Sequence, residues 1–342
     1  MTGDVTRIAI AGSDLAFDCA PGDTVMRAAL RAGVPFPYEC NVGKCGSCRF
    51  ELVDGQMQTL WEEAPALTER DRKLHRRLGC QSAPTADCTV KVRLDRNCQP
   101  QTLPALRSAV LVESRKVTHD IREFTFRCDG PVRFRAGQYA LLHLPGVEGT
   151  RAYSMSNLAN EEGILTFLIK YVRGGKGTQY LFDTLVPGGS ITIDAPYGLA
   201  YFRQEFDRDI VCIAGGSGIS PLIAIAREAA RHPDFEKRRV HVFYGGRGPS
   251  DICGDEFLRL LPRFGQNITY SASISVAELD PNGMWIGPVG FVHELVERTM
   301  NGRLNDCEYY LAGPPPMLQA AVQMLVLRHK VSLDRVHFDR FF

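Results

Sequence analysis

The sequence predicts three domains of different class: a small β-grasp-like sheet, an antiparallel β-barrel and a doubly wound parallel α/β sheet. Three observations carry that expectation. Residues 5–94 hold short alternating runs around one dense cysteine loop, and residues 109–205 hold strand-like runs between Gly/Pro turns. From Asp209 onward, strand and helix patterns alternate. The length of 342 residues exceeds that of one typical domain, and 44% apolar with 23% charged residues is an ordinary globular balance. A net charge of +1 gives no general field for nucleic acid or anionic membrane. No run approaches the roughly 18 apolar residues of a membrane span. Met1 to Ile10 lack the basic-then-apolar layout of a signal peptide, so a cytoplasmic protein is expected.

In the first domain, Thr6, Ile8 and Ile10 share one strand phase that Leu15 and Phe17 resume after the turn Gly12-Ser13-Asp14. A helix over Val25–Ala32 is expected, capped by Asp23 or Thr24 and stopped by Gly33. The cysteine loop follows, then a strand Arg49–Val53. A second helix is expected over Thr68–Leu78, opened by Thr68-Glu-Arg-Asp71 as a capping box. Thr89–Leu94 reads as the closing strand. The polar, proline-containing stretch 95–108 has no period and reads as a linker. Its centre, 97–107, separates domain 1–96 from a barrel at 108–206 and a third domain at 207–342.

The barrel strands are expected at Val110–Val117, Glu123–Arg127, Gln138–Leu144, Arg151–Ser154, Leu165–Tyr171 and Ile191–Ala195, with one helix at Thr178–Leu185. In the third domain Ile210–Ala214 is a continuous apolar run suited to a parallel strand buried on both faces. Helix Pro221–His232, strand Val240–Tyr244, helix Asp255–Arg263, strand Ile268–Ile274, helix Phe291–Met300, strand Glu308–Ala312 and helix Met317–Lys330 complete the alternation. A ligand of such a sheet binds at the carboxyl ends of its strands.

Cys40, Cys45 and Cys48 stand at C-x4-C-x2-C spacing, with Cys80 remote in sequence. This is the spacing with which four thiolates hold a plant-ferredoxin-type 2Fe–2S cluster. A structural zinc site is the competing reading, but it normally supplies two close pairs. A Rieske centre needs two His ligands, and no histidine lies near these cysteines. Gly43 and Gly46 suit a loop whose amides turn inward, because glycine tolerates positive φ. The other seven of the eleven cysteines are scattered, and Cys212, inside an apolar run, is expected to be a small buried hydrophobe.

In Arg151-Ala-Tyr-Ser154, strand alternation sets Arg151 and Tyr153 on one face. A guanidinium there can pair with a pyrophosphate while the phenol lies against a flat heterocycle. Ser154 reaches the same ligand only if the chain bends. The loop Gly174-Gly-Lys-Gly-Thr178 opens the one helix of the barrel, and free amides at a helix start attract anions. Together these segments suit a diphosphate-bearing flavin. Ala214-Gly-Gly-Ser-Gly-Ile-Ser-Pro221 follows the first strand of the third domain, where a dinucleotide phosphate sits. Tyr244-Gly-Gly-Arg247 and Ala312-Gly-Pro-Pro-Pro-Met317 are expected on the same sheet edge. The histidines and the basic run Arg70–Arg77 read as solvated or structural. No Glu-x-x-His occurs, so a di-iron carboxylate site, and oxygen activation with it, would belong to a partner.

With those residues in place, the chain resembles, over essentially its whole length, the reductase components of bacterial multicomponent oxygenases. Tyr38-Glu-Cys40, Leu60-Trp-Glu-Glu-Ala-Pro65 and His337-Phe-Asp-Arg-Phe-Phe342 are similar to the reductases of toluene-type monooxygenases, and the aromatic-ring dioxygenase reductases are also similar. The resemblance implies a β-grasp ferredoxin, a Greek-key FAD barrel and an NAD-binding α/β domain whose tail covers the flavin. It implies that Arg151 holds the FAD pyrophosphate, contacted by Gly177 and Thr178, with Tyr153 on the isoalloxazine and Ser154 near its N5. Lys170 and Gly175 join the cofactor-binding set. Gly215, Gly216, Ser217, Gly218, Pro221, Arg247, Gly313 and Pro314 are implied for NADH, and Phe341 or Phe342 for the flavin's other face. NADH is expected over NADPH, although Arg247 and Ser250 could contact a 2′-phosphate. The family usually has Cys-Gly-Pro-Pro where this chain has Ala312, so altered hydride transfer is expected at that catalytic position.

The implied function is NADH oxidation through FAD, with single electrons leaving through the cluster to an oxygenase or hydroxylase component or its intermediate ferredoxin. A monomer is expected, docking its partner at the cluster loop's exposed side, Asn41 to Lys44 and Ser47. A free-standing flavin or ferric reductase would need no cluster. A non-catalytic electron carrier would need neither later domain.

Overall fold

The computed structural model describes residues 4–205 and 208–341; Phe342 lies outside them. In the first domain β1 (Thr6–Ile10) and β2 (Ala16–Cys19) form an antiparallel hairpin. Helix α1 (Val25–Arg31) is capped by Thr24, whose hydroxyl accepts the Arg27 N–H, and Gly33 stops it at φ +74°. Next come β3 (Arg49–Asp54), β4 (Met57–Thr59), α2 (Glu69–Lys73), β5 (Arg76–Leu78), β6 (Ser82–Pro84) and β7 (Cys88–Lys91). The main sheet runs β2-β1-β7-β3-β5, with β7 parallel to β1, and β4 pairs with β6 alone.

The capping box at Thr68 and Asp71 is present, but the helix expected to reach Leu78 ends after Lys73. His75 turns left-handed at φ 52°, and Arg76–Leu78 pair with Arg49–Glu51 of β3. Sheet pairing overrides the local helical pattern there. The β4–β6 pair was not foreseen, since three-residue strands are too short to show alternation. Residues 95–99 lie back on the first domain, with Asp95 N donating to Pro35 O at 3.0 Å and Gln99 Nε2 to Gly33 O at 2.8 Å.

All six expected barrel strands are present: β8 (Ala105–Lys116), β9 (Ile121–Cys128), β10 (Tyr139–His143), β11 (Thr150–Ser154), β12 (Ile164–Lys170) and β13 (Ser190–Tyr197). They pair antiparallel in the order β11-β10-β13-β8-β9-β12, and a bridge from Met155 to Phe167 brings the two edges together. Strand β8 starts at Ala105, earlier than expected. Helix α3 (Lys176–Gln179) is shorter than expected and continues as a wide turn over Tyr180–Thr184.

The third domain is a parallel sheet, β16-β15-β14-β17-β18. Its strands are β14 (Asp209–Gly215), β15 (Val240–Gly246), β16 (Ile268–Ile274), β17 (Cys307–Gly313) and β18 (Val336–Arg340). Its helices are α4 (Ile219–Arg231), α5 (Asp255–Leu258), α6 (Val292–Thr299) and α7 (Pro315–Val322). Helix α5 stops short of its expected end, whereas α7 continues as wider helical turns over Gln323–Arg328, close to its expected end. Strand β18 corrects the reading of the terminus as a simple tail. As an edge strand of alternating polarity it lacks the continuous apolar signature of a buried parallel strand. Because the sheet is parallel, the loops after β14, β15 and β17 share one edge, as expected.

The domains also share core. Tyr139, Leu141 and Tyr197 of the barrel pack into the same apolar cluster as Phe36, Tyr38 and Cys80 of the first domain.

Candidate active site

Four cysteines converge on one point of the first domain. Cys45 N donates to Cys40 Sγ at 3.3 Å, and Cys48 Sγ lies 3.4 Å from Cys80 Sγ. One pair thus comes from within the loop, and the other ties the loop to the turn after β5. Gly43 and Gly46 sit at φ +80° and +82°. Those left-handed conformations favour glycine at both positions, and the flexible end of Arg49 lies over Gly46. Cys48 and Cys80 are buried, while Cys45 is partly exposed. Of the expected docking residues, Ser47 is exposed and Lys44 partly so, but Asn41 is only 1% exposed. Asn41 is turned toward α1, where Arg27 Nε donates to its Oδ1 at 3.1 Å.

On β11, Arg151 stands opposite Leu142 and Tyr153 opposite Ala140, so they share a face as expected. Arg151 Nη1 donates to the carbonyls of Glu148 at 3.2 Å and Thr150 at 3.1 Å, which leaves the guanidinium's charge without a carboxylate among the described residues. Gly177, at the start of α3, lies against it: an added Cβ would meet Arg151 Cγ at 3.0 Å. Thr178 is turned inward, its hydroxyl bonded at 3.1 Å to the Val172 and Gly175 carbonyls. Its side chain therefore shapes the loop around Gly175. Burial pushes the Tyr153 phenol up to about 12. Ser154 is buried, and its carbonyl accepts Ser220 Oγ at 2.8 Å. Lys170, at the end of β12, pairs with Asp120 at 3.0 Å and flanks Gly216.

The carboxyl edge of the third domain is built from glycine backbone. A Cβ on Gly218 would stand 2.0 Å from the Ala312 carbonyl oxygen, and one on Gly313 3.0 Å from Gly215 O. Gly216 takes φ +57°, and Ser217 joins it in the short turn that leads into α4. Pro221 lies in the first turn of α4, and Pro314 packs beside Gly215. Arg247 is exposed past the end of β15, its N–H held by Asp251 Oδ2 at 3.1 Å. Ala312 is buried. Phe341 N donates to Gly313 O at 2.9 Å, and its ring packs on the core shared by barrel and third domain. Phe342 falls outside the described residues.

The first domain meets this edge through Glu39. Tyr139 Oη donates to Glu39 O at 2.7 Å, Arg340 Nη1 lies 3.2 Å from its carboxylate, and Tyr38 Oη accepts Gly198 N at 3.1 Å. Tyr139 pairs with Ser154 across the β10–β11 ladder. The cysteine loop therefore rests on the strand pair that carries Tyr153 and Ser154.

Family models match all three domains: a 2Fe-2S iron-sulfur cluster binding domain over residues 8–85, an oxidoreductase FAD-binding domain over 108–202 and an oxidoreductase NAD-binding domain over 212–323. The ferredoxin–NAD(P)+ reductase CarAd of Metapseudomonas resinovorans is 40% identical over 329 residues, 95% of this chain and 96% of that one. The chain belongs to the ferredoxin–NAD(P)+ reductase family. The ferredoxin–NAD+ reductase component of the alkene monooxygenase system of Xanthobacter autotrophicus is 36% identical, covering 95% of this chain and 97% of its own. A solved ferredoxin reductase of carbazole 1,9a-dioxygenase superposes with a TM-score of 0.91 at 34% identity, covering 99% of each chain.

Four thiolates beside glycine backbone would hold a cluster, the Arg151–Gly177 cradle FAD and the bare Gly215–Gly218 floor a nucleotide. Several residues of the site have roles that their sequence motifs do not disclose. Ser220 also accepts Leu168 N at 3.2 Å and so pins two barrel strands to α4. Its place in the motif Ala214–Pro221 does not disclose a bond to another domain. Tyr139, Glu39 and Asp339 lie at the domain seam, which sequence periodicity does not reveal. Asp339, on β18, is 9% exposed with an unpartnered Oδ2, and burial together with Glu39 pushes its carboxyl up to about 7.

Proposed function

We propose that this reductase oxidises NADH through FAD and delivers single electrons, by its 2Fe–2S cluster, to an oxygenase or hydroxylase component or to its intermediate ferredoxin. The hydrogen bond from Tyr139 Oη to Glu39 O carries the reading, because it joins the cluster loop to the flavin strands within one chain. The names of the relatives, reductases of alkene monooxygenase and carbazole dioxygenase systems, support a hydrocarbon or aromatic substrate for the partner. When bound, FAD converts a hydride into single electrons, and a plant-type cluster at about −400 mV carries them on.

The chain supplies orientation and electrostatics. The uncommitted charge of Arg151, with Gly177 beneath it, holds the FAD pyrophosphate. Tyr153 would lay its ring along the isoalloxazine, with its hydroxyl as a neutral donor. Ser154, fixed by Ser220, would lie on the flavin's reactive side. Lys170 and Gly175 flank the cofactor. Gly215, Gly216, Ser217, Gly218 and Gly313 let the NADH diphosphate approach backbone amides, with Pro221 and Pro314 stiffening the two loops. Arg247 meets the adenosine end. Phe341, tethered through Gly313, would cover the flavin until nicotinamide enters. Ala312 leaves that contact without the thiol that the resemblance implies.

Electrons leave past Cys45 and Ser47, the accessible side of the loop. None of the eleven cysteines is joined in a disulfide, as in a reducing cytoplasm. Each cofactor cradle is complete in one chain, which supports a monomer. No helix among the described residues is long and apolar enough to cross a membrane. An anaerobic NADH titration followed in the visible spectrum tests the scheme. The expected end point is joint bleaching of flavin and cluster at about three electrons per chain, two on the flavin and one on the cluster. Bleaching of flavin alone would leave a plain flavin reductase.

A further inference from the structure

Helix α1 presents Arg27 and Arg31, one turn apart, toward the barrel. Arg31 fastens the helix, with Nη1 and Nη2 at 2.8 and 2.7 Å from the two oxygens of Asp194. Arg27 reaches further and is 7% exposed. Its Nε donates to Asn41 Oδ1 at 3.1 Å, and its Nη2 to Asn41 O at 3.5 Å and to Thr150 Oγ1 at 3.0 Å. Asn41 directly follows the cluster ligand Cys40 and takes the left-handed φ of 56°, and Thr150 directly precedes Arg151. One side chain thus spans the cluster loop and the flavin strand.

We propose that Arg27 is the positioning residue for electron transfer from flavin to cluster: it sets the gap between them and stabilises the reduced cluster. This role rests on the electron path proposed above. Arginine offers donors only, so the Asn41 side-chain oxygen must face it and the amide nitrogen must face away. Asn41 Nδ2 is buried and has no protein partner, which leaves its N–H groups for the cluster's sulfur. Hydrogen bonds to cluster sulfur and a nearby buried cation both favour the added electron. Two electrons arrive with each hydride, and the cluster takes them one at a time. A clip alone would not need to reach Asn41, since Arg31 already holds helix to barrel.

Three variants of the holoenzyme separate these roles. Arg27→Lys keeps the charge and loses the fork, Arg27→Gln loses the charge, and Thr150→Val removes only the contact to the flavin strand. After anaerobic mixing with NADH, flavin bleaching keeps its wild-type rate in all three, while the following cluster reduction slows about tenfold. In a spectroelectrochemical titration Arg27→Gln weakens electron uptake by the cluster about tenfold, which is about 59 mV for a one-electron couple. Arg27→Lys and Thr150→Val keep the wild-type potential. An unchanged potential together with an unchanged cluster-reduction rate in Arg27→Gln would overturn the role. If Arg27→Gln fails to hold its cluster, Thr150→Val decides: an unchanged cluster-reduction rate there overturns it. A wild-type cluster that NADH cannot bleach would defeat the electron path itself, and this role with it.

Discussion

Ser220 Oγ, in the first turn of α4, donates to the carbonyl of Ser154 at 2.8 Å. The same oxygen accepts Leu168 N, so one hydroxyl of the third domain holds both β11 and β12. Ser220→Ala leaves a buried amide unpaired. It is expected to lower stability by about 1–3 kcal/mol in urea unfolding. Flavin reduction by NADH should slow as well, because the strand bearing Ser154 is released from the nucleotide domain. A wild-type urea midpoint would show that water replaces the hydroxyl.

Gly218 crosses β17 where no side chain fits. The Cβ of Gly218→Ala would lie 2.0 Å from the Ala312 carbonyl, a backbone atom that cannot step aside. Such overpacking costs about 1–3 kcal/mol, or about tenfold or more in NADH affinity. FAD content should not change, since the barrel is untouched. Calorimetric titration of NAD+ and the flavin absorbance read the two effects separately.

Ala312 stands where the resemblance to oxygenase reductases implies a thiol. Ala312→Cys is expected to change the rate of flavin reduction by NADH on the order of tenfold, through placement of the nicotinamide. Stopped-flow bleaching measures it, and an unchanged rate would remove any special role for the position.

Arg31 and Asp194 form the main ionic clip between the first domain and the barrel. The Asp194 side chain is fully buried and also accepts Tyr197 Oη at 2.8 Å. Arg31→Met would strand that carboxylate, at about 3–5 kcal/mol. A lowered melting temperature checks it, and Arg31→Met with Asp194→Asn should recover much of the loss.

Asp339 makes stability depend on pH. Its carboxyl is pushed up to about 7 by burial and by Glu39, from an ordinary value of 3.8. The native state therefore holds this proton more tightly than the unfolded chain. The contribution is complete below the ordinary aspartate range and is lost as pH rises through about 7, by at most about 4 kcal/mol. Asp339→Asn should flatten the decline between about pH 4 and pH 7 in denaturant titrations. A slope identical to wild type would remove Asp339 as its source.

The sequence by itself determined the cofactor chemistry and the domain order. Thiolate spacing in Cys40–Cys80, the alternation in Arg151–Ser154 and glycines after a buried strand are local patterns, and local patterns can be read along a chain. The six barrel strands were legible for the same reason. Only the tertiary structure decided what depends on contacts between distant segments. Arg76–Leu78 became a strand because β3 lay open beside it, and the terminus became β18 because β17 offered a parallel edge. Asn41, expected at the docking face, turned inward because Arg27 claimed it. The contacts of Ser220, Tyr139 and Arg27 join residues far apart in sequence, where no periodicity links the partners, and those contacts set how the cluster, flavin and nucleotide sites meet.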